Sequence, residues 1–538
     1  MMFSIPLLVV WVVALARVTV GLPVVEPLAA RATGFETAFG TLTNGTSTVA
    51  GVQRFVVRYA TAARWKASVL ATSLHILQSL PPVCPQVTDT DSGAFTGEED
   101  CLYLVVYVPT KVIPSSVIVW IHGGSLIVGG ANDPMIDGSK LALATQSVVA
   151  VMQYRLGVLG FLPPVGANPN SNLGVRDAIT ALTFVNKIVS AFGGNLKNAV
   201  TVAGQSSGAT MIRALLAAPS ASALFSKAIL QSDTADYGFF KPTTITTFQK
   251  NFFPSLNCSV SNASCQSALS LGAIMSAQND FLPGAPDLDA ASAGPLALRP
   301  VIDNQIITTT LTTTFPSSLK PLLITTVKNE AGPTIFGGGG VPQVPNDFYA
   351  PVLESVIPDS RAQSILNSTF YALGKSDDAV RDALMEVVTD LAFRCPDWAL
   401  ARAWSTRGGS VFLGKFLAGA THPSNDGIDF CTTTPGAVCH QDDIPIVFGT
   451  ARNPSAAQKQ LIADTQARFA AFVRTGNPNL VGQASRSQPA WLKAKSSDSS
   501  ISTSVQPLGG SGPVDLGACV STFWGSPIAQ FDYQIHGL

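Results

Sequence analysis

The chain has 538 residues, 46% of them hydrophobic and only 12% charged, with 33 basic and 34 acidic side chains giving a formal net charge of −1. Soluble domains carry roughly 25% charged residues, so this composition is the reverse of a disordered chain. The near-zero balance also excludes the basic surface that a nucleic-acid partner requires. Gly and Pro occur without a strict period, which rules out a collagen-like chain.

Ile5 to Ala16 is an unbroken apolar run followed by Arg17 and small residues. It is shorter than the ~20 residues of a membrane span and suits the apolar region of a secretory signal peptide cleaved near Gly21. The expected division is therefore a signal peptide over residues 1–21 and one domain over 22–538. A secreted, extracellular protein with no stable span after cleavage follows; an uncleaved signal anchor is the alternative. Eight cysteines (Cys84, Cys101, Cys258, Cys265, Cys395, Cys431, Cys439 and Cys519) suit an oxidising compartment. Their spacing forms no metal-ligand motif, so no metal is expected. Sequons at Asn44, Asn257, Asn262 and Asn367 are candidate glycosylation sites.

Val117 to Ile121 is β-branched and aromatic and stops at Gly123-Gly124, a buried strand entering a loop. Val148 to Met152 repeats the pattern, and Asn172 to Phe192 carries a helical apolar stripe. Val200 to Val202 then precede a glycine-bounded turn and a helix-prone run from Ala209 to Leu216. Ala228 to Leu230 and Leu322 to Ile324 are further short apolar runs. Alternating strands and helices predict an α/β fold with a large, mostly parallel sheet covered on both faces. Leu282 to Pro300, Gly337 to Gly340 and Ser496 to Gly512 are expected to be surface loops.

Gly204-Gln205-Ser206-Ser207-Gly208 is G-x-S-x-G between a strand and a helix, the context in which a sharp turn lifts a serine hydroxyl above a sheet. A serine nucleophile needs an imidazole base. In the order Ser, acid, His, the bases downstream of Ser206 are His422, His440 and His536. His440, on the polar loop Cys439 to Asp443, is the best placed. Glu330, just after the Leu322 to Val327 run, is the first candidate acid, and Asp303 is the second.

Longer motifs resemble the type-B carboxylesterases, the family of cholinesterases and fungal lipases. They are Glu99 to Pro109, Trp120 to Gly124, Tyr154 to Gly157 with Gly160 to Leu162, and Phe192 to Gly194. The serine elbow, Asn329-Glu330, His440 to Gly449 and Arg474 to Asn479 continue the series in the family's order. The resemblance implies an α/β-hydrolase fold, a Ser206–Glu330–His440 triad and an oxyanion hole from the N–H groups of Gly124, Ser125 and Ser207. It implies disulfides Cys84–Cys101, Cys258–Cys265 and Cys395–Cys519, which leaves Cys431 for Cys439. It implies a serine hydrolase that cleaves small-molecule or lipid esters through an acyl-enzyme and uses no cofactor. A non-catalytic binding protein of the same fold and an amide hydrolase are the rival readings. Three departures stand out: Gln205 replaces the family's glutamate, Ser125 its third loop glycine, and Val105 its asparagine. The segment between Cys84 and Cys101, a lid in the fungal lipases, is short here and poor in apolar residues. An open site for soluble, short- to medium-chain esters is the expectation. The rival is a lipase or sterol esterase with a lid from another segment such as Leu282 to Pro300.

Overall fold

The computed structural model describes residues 34–524 except 48, 111–113, 115, 165–170, 194–199, 235–237, 293–295, 312, 358 and 481–488. The expected signal peptide, Gly194 and His536 lie outside the described residues. Eleven strands form the main sheet: β1 (Thr46–Ser47), β2 (Val52–Arg58), β3 (Ile76–Leu77), β4 (Tyr103–Pro109), β5 (Ser116–Ile121), β6 (Ser147–Met152), β7 (Val200–Gln205), β8 (Lys227–Gln231), β9 (Leu322–Val327), β10 (Val411–Phe416) and β11 (Gln506–Leu508). From edge to edge the order is β11-β10-β9-β8-β7-β5-β6-β4-β2-β1, with β3 paired to β2. The run from β6 to β11 is parallel, and β1 to β4 add an antiparallel margin.

Side-chain alternation divides the strands between two cores. Val117, Val119 and Ile121 of β5 join the core that holds α1 (Leu173–Ile188) and α2 (Ser207–Leu216), whereas Ile118 and Trp120 face the opposite one. The central strands are buried at every position, which is why they read as continuous apolar runs. Arg155 clamps α1 to the end of β6 through two 2.7 Å bonds to buried Asp177.

Two of the expected loops are structured. Leu282 to Leu288 belongs to α3 (Leu271–Leu288), which continues through Pro283 and Pro286. Proline disfavours a helix interior, but Ile274, Met275, Gln278 and Ala285 form a buried stripe that holds the segment helical. Farther along, α4 (Cys395–Thr406) and α5 (Ala456–Thr475) cover opposite faces of the sheet. The serine-rich stretch from Ser496 contains α5's successor α6 (Asp498–Ser504), capped by Ser497 and anchored by buried Ile501, and it leads into edge strand β11. Four disulfides close Cys84–Cys101, Cys258–Cys265, Cys395–Cys519 and Cys431–Cys439. No described helix is long and apolar enough to cross a membrane.

Candidate active site

Strand β7 runs straight into the serine turn. Ser206 takes φ 57° and ψ −130° between the end of β7 and the first turn of α2, a conformation that costs a side-chain-bearing residue about 1–3 kcal/mol. The surroundings hold it there: Ser206 N–H donates to Gln231 C=O at 2.9 Å, and its own C=O receives Ala209 N–H at 2.8 Å. The flanking glycines answer to crowding. A Cβ on Gly204 would lie 2.7 Å from the carbonyl oxygen of Ile121 on neighbouring β5, and one on Gly208 would lie 2.1 Å from the same atom.

The loop after β5 bends across this turn. Gly124 has φ 112°, and the next two residues, Ser125 and Leu126, stay at φ 55° and 63°. Gly124 C=O accepts from Ile127 N–H at 3.0 Å and from Val128 N–H at 2.9 Å. Leu126 N–H donates to the hydroxyl of Ser207 at 3.2 Å, and Leu126 C=O accepts Gly157 N–H at 2.7 Å. At its far end, Gly129 N–H and C=O bond Gln86 Oε1 and Nε2, each at 2.9 Å. Gln86 belongs to the hairpin of Gln86–Asp89 and Ala94–Thr96, which Asn279 of α3 fixes through Thr90 C=O at 2.9 Å. The Cys84–Cys101 segment is thus a brace beneath the loop.

Glu330 and His440 come from two loops laced together. Asn329 N–H donates to Val438 C=O at 2.9 Å, and Val438 N–H returns a bond to Asn329 Oδ1 at 3.1 Å. Glu330, just beyond β9, accepts Val327 N–H on Oε1 at 2.7 Å and His440 Nδ1–H on Oε2 at 2.6 Å. This fixes the tautomer and leaves the Nε2 lone pair facing the elbow. There Gln205 Nε2–H donates to it at 3.1 Å. Among the described residues no hydrogen bond joins Ser206 Oγ to His440 in this resting arrangement. Asp442 shapes the His440 loop by accepting Cys439 N–H at 2.7 Å and His422 N–H at 2.8 Å.

Buried carboxyls surround the pair. Burial, with Glu330 close by, pushes Asp443 up to about 7, while Gln231 Nε2–H donates to its Oδ2 at 2.5 Å. Burial likewise raises Asp442 to about 6 and Asp397 well above the carboxylate range. In mildly acidic conditions these groups are protonated and add little charge beside Glu330.

Ser206, Glu330, His440, Gly124 and Ser125 line one cavity of about 730 Å³. The rest of the wall is chiefly aliphatic, including Ile335, Leu384, Leu391 and Leu296, with Phe393 5.1 Å from the His440 ring. The second candidates fall elsewhere. Asp303 binds the backbone N–H groups of Gln305, Ile306 and Ile307 and the side chains of Ser171 and Asn172, a loop staple. His422 is buried beside Ser424 with its pKa lowered by desolvation. The bond from Gln205 to His440 has no spacing signature, and sequence reading missed it; the same holds for Gln86 and Asp442.

A long, mainly parallel sheet with a serine elbow at the carboxyl end of a central strand, faced by a carboxylate-bonded histidine, defines an α/β-hydrolase. A profile of the carboxylesterase family matches residues 49–507, and the chain belongs to that family. It is 31% identical over 402 residues to the cAMP-regulated D2 protein of Dictyostelium discoideum, covering 71% of this chain and 70% of that one. Human carboxylesterase 3 is 27% identical over 475 residues, with 80% and 78% covered. A solved structure of a PNB esterase superposes with a TM-score of 0.69 at 26% identity, over 86% of this chain and 94% of that one. The protein is a carboxylic ester hydrolase.

Proposed function

We propose that Ser206 is the nucleophile, His440 its general base and Glu330 the carboxylate that orients the imidazole. The 2.6 Å bond between Glu330 and His440, on the cavity that Ser206 also lines, carries this reading. His440 Nε2 takes the Ser206 proton as Oγ attacks the ester carbonyl. The tetrahedral oxyanion then rests on the N–H groups of Gly124, Ser125 and Ser207. The intermediate collapses, the alcohol leaves with the proton from His440, and an acyl-serine remains. Water deprotonated by His440 hydrolyses it to the acid and free serine.

Substrates are neutral small-molecule esters, in keeping with the aliphatic wall. None of the described lining residues comes from the Cys84–Cys101 brace, which favours soluble, short- to medium-chain esters turned over without interfacial activation. Leu296 does line the cavity, and it supports the second reading, a lipase or sterol esterase lidded by the 282–300 segment. The remaining parts of the proposal are a secreted, extracellular chain, cleavage of residues 1–21 and one hydrolase domain over 22–538. Asn44, Asn257, Asn262 and Asn367 are all exposed, as glycan acceptors must be.

A fluorophosphonate probe should label the wild type and not Ser206→Ala. Ser206→Ala and His440→Ala should abolish ester turnover in folded protein, and Glu330→Gln should lower kcat by about 10⁴ through loss of the tautomer. Turnover by purified, folded Ser206→Ala would refute the assignment.

A further inference from the structure

Ser125 and Leu126 are consecutive side-chain-bearing residues at positive φ, 55° and 63°. Such conformations persist only where neighbouring groups over-determine them. Here two buried hydroxyls hold the loop, one at each end. Leu126 N–H donates to Ser207 Oγ at 3.2 Å. Tyr154 is fully buried as well. Tyr154 Oη–H donates to His122 C=O at 2.9 Å. One bond holds the start of the loop His122 to Leu126, and the other ties its end to the first residue of α2. Leu126 and Ser207 are both 0% exposed, so no water can replace a member that is lost.

We infer that the side chain of Ser207, together with that of Tyr154, is a positioning element that locks the loop carrying the Gly124 and Ser125 N–H groups onto the nucleophile elbow. This rests on the oxyanion-hole reading proposed above and adds to it the device that holds the hole open in this chain. Without the hydroxyl, Leu126 N–H is left buried and unpaired, and the adjacent Ser125 loses what opposes its strained φ. The peptide planes whose N–H groups face the oxyanion are then free to rotate away. Because the loop acts on the developing oxyanion and not on the neutral ester, the loss falls on kcat and leaves KM largely unchanged.

The experiment compares wild type, Ser207→Ala, Tyr154→Phe, Ser125→Gly and the Ser207→Ala/Ser125→Gly double variant as full-length protein. Active sites are counted by fluorophosphonate titration. A soluble nitrophenyl ester gives kcat and KM, and a trifluoromethyl ketone that adds to the serine as a hemiketal gives Ki. Ser207→Ala should lower kcat per titrated site roughly tenfold to a hundredfold, less than deletion of a donor itself, with KM within about threefold and Ki raised in step with kcat. Tyr154→Phe, which removes a single oxygen, should move kcat and Ki in the same direction and serves alone if Ser207→Ala fails to accumulate. Ser125→Gly should recover part of the kcat lost in Ser207→Ala, because it removes the strain that the hydroxyl opposes. A kcat within twofold of wild type in Ser207→Ala and in Tyr154→Phe overturns the inference, as does a fall in kcat without a matching rise in Ki. An unlabelled wild type or an active Ser206→Ala would instead overturn the triad reading, so the two failures are distinguishable.

Discussion

At position 205 a neutral amide lies against His440, where the family motif has a carboxylate. Gln205 donates to His440 Nε2 at 3.1 Å, a bond open only to a ring nitrogen that carries no proton. A carboxylate in its place would favour the imidazolium. Gln205→Glu should therefore lower kcat on a soluble ester at neutral pH while the protein stays folded; an unchanged kcat would mean that the contact is idle. Asp443 gives a pH effect on stability. Its folded pKa, up to about 7, lies above the ordinary carboxylate value, so the fold binds a proton that the unfolded chain releases. The resulting stabilisation is complete below the ordinary carboxylate range and is lost as pH rises through about 7. Thermal denaturation should show Tm falling from pH 5 to pH 8, and Asp443→Asn, which cannot ionise, should flatten that slope.

Short disulfide-closed elements set the catalytic loops, and their two longest-range roles differ. Cys431–Cys439 closes a separation of 8 residues immediately before His440, whereas Cys395–Cys519 spans 124. Loop-closure entropy gives about 2.5 kcal/mol for the first and about 5 kcal/mol for the second. Replacing both cysteines of the long link by serine should lower Tm the more. Replacing those of the short link should cost more activity, because the bridge packs on Gly332, where a Cβ would come within 2.7 Å of Cys439 Sγ, and so keys the base loop to the acid loop. Kinetics and calorimetry on the two double variants check the contrast. Most of these elements were legible in the chain itself: the β5, β6, β7 and β9 runs are apolar because both faces of those strands are covered, and G-x-S-x-G located the elbow because its glycines answer a steric demand. What stayed hidden depends on partners distant in sequence. Pro283 and Pro286 signal a break in α3 that buried packing overrides. Serine-rich composition masks α6, whose stability comes from the Ser497 cap, from Ile501 and from the pairing of Asp498 with Arg402 at 2.8 Å. The bonds of Gln86, Gln205 and Tyr154 join segments that no local pattern connects.

Across the whole molecule, the brace beneath the loop and the aliphatic cavity above the serine bear on how esters arrive. A series of nitrophenyl esters of increasing acyl length, assayed below and above the solubility limit, should show rates that saturate while the ester is still dissolved, with no rise on emulsion formation. A jump at the emulsion point with long chains preferred would favour the lidded lipase. The margins of the large sheet have a consequence of another kind. One edge is the two-residue β1 and the other the three-residue β11, which carries Pro507 in its middle. An unpaired strand is a template on which a further chain can add, and nature blunts it by shortening it or by denying it a donor. Here the outermost rungs are so few that an incoming strand would find almost no ladder to extend. A sheet this wide and this apolar is thereby kept from growing into its neighbours when the enzyme is concentrated.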